Sequence, residues 1–425
     1  MTIMHLKRKQ SGHAALLFAM LIPTLFGIFT LASDGARALQ SKARIEDAAE
    51  VASLAIAAHN AENKDSTGIG SGSLTNRKIA TDYIEQYMVD MTQVSDLKIY
   101  KHNCEEISEC REGLTRGEAR FFQYEVQAKT KHTSWFPGND AIQGFGETFD
   151  VAGAAVARKY QSEAVDVVFA ADFSGSMNGG WGGSSQRKYR DLIDIIKDVT
   201  VELKRFNDLE DGNDNKIAIS PFNYYTYSTR SDNNKKKCDL SQDYYSRGSF
   251  DAKTTVDNLW KEKGNETSYN HCKGKNNKLQ FKDLFLTSDF SAFNTSVGSF
   301  YPNGGTTSYQ SIIRSAQMLR KGVNSRRLLI VISDGDDSGY FKTYHQSLVQ
   351  EGMCTKILQG LGTGMSSDGK PIRARMAVIG FDYEPKNNKA LQNCVGAKNV
   401  YKAENRDEIL NQILELITEE IGHLK

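Results

Sequence analysis

The string "DFSGSM", which begins at Asp172, places oxygen-bearing side chains directly after a run of apolar residues. Asp172, Ser174 and Ser176 stand at alternate positions and offer one carboxylate and two hydroxyls. Thr306 follows two glycines in "NGGTTSY", and Asp334 follows a second apolar run in "VISDG". Carboxylate and hydroxyl oxygens, with no histidine or thiolate among them, suit a hard cation such as Mg²⁺. The residue types therefore predict a divalent-cation site.

Coordination chemistry indicates how such a site would work. Mg²⁺ takes six oxygen ligands in an octahedron and tends to keep some of its waters. Two serine hydroxyls bound directly, with the aspartates and the threonine bound directly or through water, would leave one position for an outside ligand. A carboxylate from a protein partner is the natural candidate for that position.

A mostly parallel sheet would bring these residues together, because the carboxyl ends of parallel strands meet at one edge. After residue 160, apolar strands alternate with helical segments. The predicted strands are 165–173, 216–222, 326–335, 374–382 and 400–403, and the predicted helices are 187–206, 308–320, 344–361 and 406–424. Continuous apolar strands are typical of a sheet covered on both faces. The pattern predicts a doubly wound α/β domain.

Two simpler interpretations compete with the metal site. Serine and aspartate commonly cap helices, but the predicted helix begins some ten residues later, behind "NGGWGGSSQ". An aspartate at the end of a parallel strand could also be the nucleophile of a phosphohydrolase. That alternative assigns the role to Asp172, although Ser174 stands where an Asp-x-Asp start would need a second aspartate.

Taken in order, the three strings resemble the metal-ion-dependent adhesion site of von Willebrand factor A domains. The family pattern is Asp-x-Ser-x-Ser, a distant Thr and then Asp. Carried over position by position, the metal ligands are Asp172, Ser174, Ser176, Thr306 and Asp334. The resemblance covers about 161–425 and implies Mg²⁺, or else Mn²⁺ or Ca²⁺, and a protein ligand that offers an acidic side chain. The long segment 224–305 departs from the pattern and is interpreted as an insertion.

The amino-terminal part contains a charge-free stretch, Ala14–Ala32, preceded by Lys7, Arg8 and Lys9. Its 19 residues would form a helix about 28 Å long, close to the thickness of a bilayer core. The basic residues favour a cytoplasmic amino terminus. We therefore expect a stub at 1–12, a membrane helix at 13–33 and a bulk that lies outside, with a cleavable signal peptide as the competing interpretation.

The segment that follows is rich in Ala, Leu, Arg and Glu, which predicts a helical extension over 34–62 continuous with the membrane helix. Residues 66–76 are rich in Gly and Ser and predict a connector. A helix at 78–91 and alternating strands at 96–102, 119–130 and 149–160 then predict a small α+β unit over 77–160.

Residues 8–57 resemble the opening segment of TadE/TadG-like proteins of the bacterial tight-adherence (Tad/Flp pilus) machinery. The shared features are a basic stub, Gly12, an apolar helix with a central proline and a continuation rich in small residues. Leu17 stands where the processed pilin-like members have a glutamate. Together with a carboxy-terminal A domain, the resemblance implies a TadG-like, pilin-related envelope protein.

The number and spacing of the cysteines favour an exported protein. Six are present and none forms a Cys-x-x-Cys pair, which in a translocated domain predicts three disulfides. Pairing of sequence neighbours is favoured among the 15 possible connectivities; the candidates are Cys104, Cys110, Cys238, Cys272, Cys354 and Cys394.

Charge and resemblance together define the expected function. A formal net charge of +1 gives no basic excess, so no nucleic-acid partner is expected. We expect a single-pass protein of the bacterial inner membrane, periplasmic in bulk and not an enzyme, that serves pilus biogenesis or adhesion beside other Tad pilus components. A metal site retained only for stability is a third possibility.

Overall fold

The structure is a computed structural model that describes residues 13–59, 63, 72–116, 118, 120–139, 142, 144–160, 163–209, 214–229, 237–262, 272–273, 280–385, 388–418 and 422–424. These residues form two compact units. The first unit takes those within 1–107, 121–160 and 420–425, and the second, here called the α/β unit, takes those within 108–120 and 161–419.

The elements of both units are given in chain order. The strands are β1 (Gln93–His102), β2 (Phe121–Thr133), β3 (Thr148–Tyr160), β4 (Val165–Asp172), β5 (Gly180–Trp181), β6 (Ser184–Arg187), β7 (Lys216–Phe222), β8 (Thr226–Thr229), β9 (Lys237–Leu240), β10 (Tyr245–Ser246), β11 (Ser249–Phe250), β12 (Cys272–Lys273), β13 (Leu284–Thr287), β14 (Arg326–Ser333), β15 (Arg373–Phe381), β16 (Val400–Ala403) and β17 (Gly422–Leu424). The helices are α1 (His13–His59), α2 (Leu74–Tyr87), α3 (Ser108–Thr115), α4 (Lys188–Leu209), α5 (Ala252–Asp257), α6 (Phe290–Val297), α7 (Ser308–Leu319), α8 (Tyr340–Gln350), α9 (Met353–Leu361), α10 (Lys389–Val395) and α11 (Arg406–Ile417).

Helix α1 is continuous over 47 residues, which corresponds to about 70 Å. Its apolar first half is exposed, with side chains such as Phe18 and Leu25 at 62% and 60% exposure, whereas Ile45 and Ala52 in its second half are fully buried. By length and composition it is the one helix among the described residues that could cross a membrane, a test that a signal sequence also passes. The predicted stub at 1–12 lies outside the described residues.

The second half of α1 packs on an antiparallel sheet with the strand order β1-β2-β3-β17. Buried and less buried positions alternate along β2, because successive side chains of a strand point to opposite faces. At Gly153 of β3, a Cβ atom would lie 2.7 Å from Ile45 Cγ2. Only glycine therefore permits the close approach of helix and sheet at this position.

The first unit differs from the predicted boundaries in three places. Helix α2 begins at Leu74, inside the predicted connector 66–76, because the Ser73 side chain accepts a hydrogen bond from Asn76 N–H and caps it. Residues 108–120 group with the α/β unit instead. Conversely, β17 pairs with β3 in the first unit, so the expected carboxy-terminal domain 161–425 ends earlier than predicted, at α11.

The α/β unit is built on a six-stranded sheet with the order β13-β7-β4-β14-β15-β16. Neighbours from β7 to β16 pair in parallel, whereas the edge strand β13 runs antiparallel to β7, so that the sheet is mixed. All eight residues of β4 and of β14 are buried, so both faces of the sheet are covered.

The two faces have different helical partners. One apolar cluster joins Val168 and Ala170 of β4 to residues of α7 and α9 but contains no residue of α4 or α11. The alternate residues, such as Val167 and Phe169, are equally buried, and α11 packs on β14, β16 and α4. The sheet therefore lies between two helical layers.

The segment 224–305 is only partly an insertion. Its described part contains a three-stranded sheet, β12-β9-β8, in which Cys238 and Cys272 are Cα partners. Strand β13, near the end of the segment, is instead the edge strand of the main sheet. The predicted boundary at 305 is thus too late, because a four-residue antiparallel edge strand leaves a weak sequence pattern.

Two predicted helices are also corrected. The expected helix 344–361 is two helices, α8 and α9, separated at Gly352, whose φ of +82° is left-handed and is readily adopted only by glycine. The expected helix 406–424 ends at Ile417, and β17 follows it.

The disulfide prediction is confirmed for one pair. Cys354 of α9 and Cys394 of α10 are bonded across 40 residues of sequence. Cys104 and Cys110 each take part in a disulfide, and their pairing with each other stays a prediction. The pairing of Cys238 with Cys272 stays a prediction that agrees with their register.

Candidate metal site

The candidate site lies where β4 and β14 end side by side. The two strands pair in parallel with Ala171 opposite Ile332, so Asp172 and Ser333, the next residue of each strand, are neighbours. This is the carboxyl edge of the sheet, where ligands of open α/β sheets bind.

Asp172 is fully buried, and both of its carboxylate oxygens accept hydrogen bonds. Ser174 N–H donates to Oδ1 at 2.8 Å, and the Ser333 hydroxyl donates to Oδ2 at 2.6 Å. Burial, reinforced by the nearby Asp334 carboxylate, raises the pKa of Asp172 to about 7, although the hydrogen bonds from Ser333 and Ser174 oppose this shift. Two carboxylates this close disfavour each other's charged form, and a cation between them would offset this repulsion.

A chain of short oxygen–oxygen contacts connects the predicted ligands. Ser174 Oγ lies 2.9 Å from Ser176 Oγ, and the Ser176 hydroxyl donates to Asp334 Oδ1 at 2.7 Å. Ser174 is buried, whereas Ser176, in the short 3-10 turn Gly175–Asn178, is exposed. The cluster therefore extends from the buried Asp172 to the protein surface.

Thr306 is held at the same edge by its backbone. Its N–H and C=O groups are both hydrogen-bonded to Ser338, at 3.0 and 2.8 Å. Two residues earlier, Gly304 C=O accepts from Gly175 N–H at 2.8 Å, with Gly304 in the left-handed region at a φ of +89°. No hydrogen bond links the Thr306 hydroxyl to the other four predicted ligands, all of which the structure describes.

The oxygen spacing fits a small divalent cation. Adjacent ligands of an octahedral Mg²⁺ lie about 3 Å apart, because each stands about 2.1 Å from the ion at right angles to its neighbour. The contacts of 2.9 Å between the two serine hydroxyls and 2.7 Å between Ser176 and Asp334 are close to this value. Among the described residues, no cluster of three or more His, Cys, Asp or Glu offers an alternative metal site.

Lys188, the first residue of α4, is a site residue that the sequence did not reveal. Its ammonium lies 3.0 Å from Asp334 Oδ2, and the two side chains are 14% and 1% exposed. The hairpin of β5 and β6 brings it there, because Lys188 N–H donates to Gly179 C=O at 3.0 Å. The contact joins residues 146 positions apart, and no motif spacing signals it.

Ser333 is a second site residue that the sequence pattern does not indicate. It ends the apolar run of β14 and lies within the predicted strand 326–335. Only the pairing of β4 with β14 places its hydroxyl on Asp172.

The other acidic residues after Asp334 have partners of their own. Asp336 is hydrogen-bonded to Lys342, at 2.7 Å, and to Tyr383. Asp337 is buried against His345, at 2.7 Å.

No family model matches the sequence, and no curated protein matches it. The chain is similar to three solved structures, of which two are pilus proteins and the third contains an occupied metal site. The PilB minor pilin of Streptococcus sanguinis shares 12% identity at a TM-score of 0.36, over 77% of this chain and 78% of its own. The vWF domain of the type V pili tip protein Mfa5 of Porphyromonas gingivalis shares 10% sequence identity at a TM-score of 0.32. The match covers 60% of this chain and 94% of the Mfa5 domain.

The third is proximal thread matrix protein 1 of the mussel byssus, with a zinc-occupied MIDAS motif. It shares 14% identity at a TM-score of 0.32 over 62% of this chain, which spans 49% of the mussel chain. These scores are too low to show a common overall fold. Neither the family nor the function of this chain follows from them.

Proposed function

We propose that this chain is a membrane-anchored, TadG-like envelope protein of pilus biogenesis or adhesion that docks a protein partner through a metal-ion-dependent adhesion site. The α/β unit would then be a doubly wound von Willebrand factor A domain. The observation that carries the proposal is the convergence of Asp172, Ser174, Ser176 and Asp334 at one sheet edge, where Ser176 Oγ lies 2.9 Å from Ser174 Oγ and 2.7 Å from Asp334 Oδ1.

The ligand chemistry supports a binding role. Mg²⁺, or Mn²⁺ or Ca²⁺ in its place, would be held by these four residues and Thr306, and would offer an electrophilic position to an acidic side chain of the partner. Ser176 is exposed and gives that position access to the surface. Lys188 would have to release Asp334 when the ion binds.

The proposed location rests on the first half of α1 and on the disulfides. Exposed apolar side chains over a bilayer's length suit a retained anchor in the inner membrane, with Lys7, Arg8 and Lys9 on the cytoplasmic side. The disulfide between Cys354 and Cys394 suits the oxidising periplasm. Other Tad pilus components are the proposed partners.

Burial counts against the phosphohydrolase alternative. Asp172 is fully buried, and both of its oxygens accept hydrogen bonds within the protein. A nucleophilic carboxylate has to reach a phosphorus atom in line. We therefore propose no enzymatic activity.

The test is a calorimetric titration of Mg²⁺ into the full chain in detergent micelles. One ion should bind to the wild type, and none to Asp172→Ala. Asp336→Ala is the matched control, because it removes a nearby carboxylate that is not among the ligands, and it should bind as the wild type does.

The docking step is tested with the same three proteins as bait for envelope extracts. Capture of a partner should need Mg²⁺ and should be lost both with EDTA and with Asp172→Ala. Partner binding that survives both treatments would show that docking does not use the metal.

A further inference from the structure

The segment between β2 and β3 packs against α1 where the apolar stretch of the helix ends. The rings of Phe136 and Phe29 lie 5.5 Å apart, in an edge-on arrangement. Ile142 Cγ2 lies 4.0 Å from the position of a Cβ atom on Gly27. The segment thus overlaps the last residues of the stretch that ends at Ala32.

Asp34 fastens this segment to the helix. The N–H groups of Trp135 and Phe136 donate to its two carboxylate oxygens at 3.0 and 2.9 Å, and Arg37 donates to it at 3.2 Å. The Asp34 side chain is fully buried. The guanidinium of Arg37 also stacks on the Trp135 ring, with its carbon 4.2 Å from the ring centroid. The position of the tryptophan is therefore fixed relative to α1.

The helix sets the depth of the segment in a bilayer. If Ala14–Ala32 spans the hydrocarbon core, Ala32 lies at its outer boundary. Phe29 and Gly27 then lie about 4 and 8 Å below that boundary, at a rise of 1.5 Å per residue. Phe136 and Ile142, which contact these two residues, must reach the bilayer with them.

The segment presents apolar side chains that are not covered by protein. Trp135 is 66% exposed and Phe145 is 39% exposed, although both are large. Tryptophan is enriched at membrane–water interfaces, where its ring lies at the level of the headgroups. Lipid is the covering that fits these residues, because they continue the exposed apolar surface of α1 itself.

We propose that Trp135, Phe136, Ile142 and Phe145 form a membrane-contact surface that inserts into the headgroup region of the bilayer around α1. The inference rests on the proposed retention of α1 as an anchor. Its consequence is that the first unit is held against the membrane at two places, the helix and this surface.

The test uses the full chain reconstituted into lipid nanodiscs. Fluorescence is recorded for the wild type and for Trp135→Phe, and the difference between them is the emission of Trp135. We expect this difference to be blue-shifted, to be lost in large part when the lipids carry bromine near the top of the acyl chain, and to resist iodide in the buffer. The emission that remains in Trp135→Phe comes from Trp181 and Trp260 and is the internal reference.

Asp34→Ala provides a second variant. It removes the acceptor of the Trp135 and Phe136 N–H groups and should weaken the bromine quenching of Trp135 without releasing the chain from the membrane. The bromine quenching of Asp34→Ala is compared directly with that of the wild type, so this test does not depend on the folding of Trp135→Phe.

Two results would overturn the proposal, and they differ in what else they overturn. A Trp135 emission that is quenched by iodide but not by brominated lipid, in a chain that resists carbonate extraction, would refute the contact surface and leave the anchor intact. Release of the chain by carbonate would refute both.

Discussion

At the scale of single residues, Asp172 is a carboxylate whose buried position disfavours its charged form. Its pKa is raised to about 7 from an ordinary value of 3.8, by burial and by Asp334. The charged form therefore destabilises the metal-free protein, and this cost is absent below pH 3.8 and grows until pH 7. A divalent cation bound beside it would offset this cost.

We predict that Asp172→Asn stabilises the metal-free protein at pH 8 by up to about 4 kcal/mol, since the pKa shift from 3.8 to about 7 corresponds to about 1.4 kcal/mol per unit. The amide can still accept from Ser174 N–H, and Ser333 retains Gly335 C=O as an acceptor at 3.1 Å. Chemical denaturation in EDTA at pH 8 and at pH 5 measures the effect, which should be smaller at pH 5. Saturating Mg²⁺ should stabilise the wild type alone, and a destabilised variant at pH 8 would contradict the assignment.

Lys188 provides the second prediction at this scale. Its ammonium lies 3.0 Å from Asp334 Oδ2 and would compete with a divalent ion for that carboxylate. Lys188→Met should raise the affinity for Mg²⁺ by about tenfold, the change produced by about 1.4 kcal/mol. Calorimetric titration measures it, and Lys342→Met, which removes the partner of Asp336, is the control. An unchanged or weaker affinity in Lys188→Met would show that the lysine does not compete.

At the scale of elements, His132 of β2 makes the first unit sensitive to acid. Its side chain is buried and stacks on Phe149 of β3, with ring centroids 5.3 Å apart. Burial lowers the pKa of His132, an effect that the nearby Asp90 opposes and Arg37 reinforces. The unfolded chain thus binds a proton more readily than the folded one, so that stability falls as the pH drops below about 6.5.

His132→Phe should reduce this loss, because it keeps an aromatic ring against Phe149 and removes the titrating nitrogen. Melting temperatures of both proteins at pH 7.5 and pH 5.5 test the prediction. An equal acid-induced decrease in the two proteins would assign the sensitivity to other groups.

A buried ion pair stabilises the edge of the main sheet. Arg314 of α7 donates to Asp283 at 2.8 Å, with the two side chains 5% and 1% exposed, and the Ser220 hydroxyl of β7 donates to the same carboxylate at 2.9 Å. Asp283→Ala should cost about 3 to 5 kcal/mol, because it removes the buried partner of Arg314 and leaves only the more exposed Glu262 carboxylate, 3.7 Å away.

The exposed pair of Lys253 and Asp257 is the control for that substitution. Its side chains are 72% and 57% exposed, so Asp257→Ala should cost less than about 1 kcal/mol. Denaturant titration of both variants gives the comparison. Similar losses of unfolding free energy in the two variants would mean that the segment before β13 does not stabilise the sheet.

Five of the six strands of the main sheet could be predicted, because β4, β7, β14 and β15 are largely apolar runs and β16 is a short apolar segment; the antiparallel edge strand β13 could not. Four of the five predicted metal ligands follow from the ends of two such strands and meet as expected. The sequence could not indicate the break at Gly352, since a glycine inside a helical pattern is ambiguous until its φ is known. Lys188, Ser333 and β17 depend on which elements become neighbours, and that is a property of the folded chain.

At the scale of the whole molecule, the first unit is assembled from distant parts of the chain. Strand β17 lies beyond the α/β unit in sequence and pairs with Ala157, Arg158 and Lys159 of β3. Removal of residues 419–425 should speed amide exchange at 157–159 and leave the protection of β4 and β14 unchanged.

Hydrogen exchange followed by mass spectrometry tests this pairing. The double substitution Gly422→Pro/His423→Pro should have the same effect as the truncation, because one of any two consecutive residues of an antiparallel strand donates its N–H to the neighbouring strand and proline has none to donate. Gly422→Ala/His423→Ala should not have this effect. Unaltered exchange in the proline variant would show that β17 contributes nothing to the sheet in solution.

The late position of β17 also determines the order in which the protein can mature. Residues 422–424 are synthesised after the whole α/β unit, so the free edge of β3 stays open until translation is nearly complete. An open strand edge readily recruits other strands. Mispairing of β3 is therefore favoured during this interval, and a chaperone that covers free strand edges would act then.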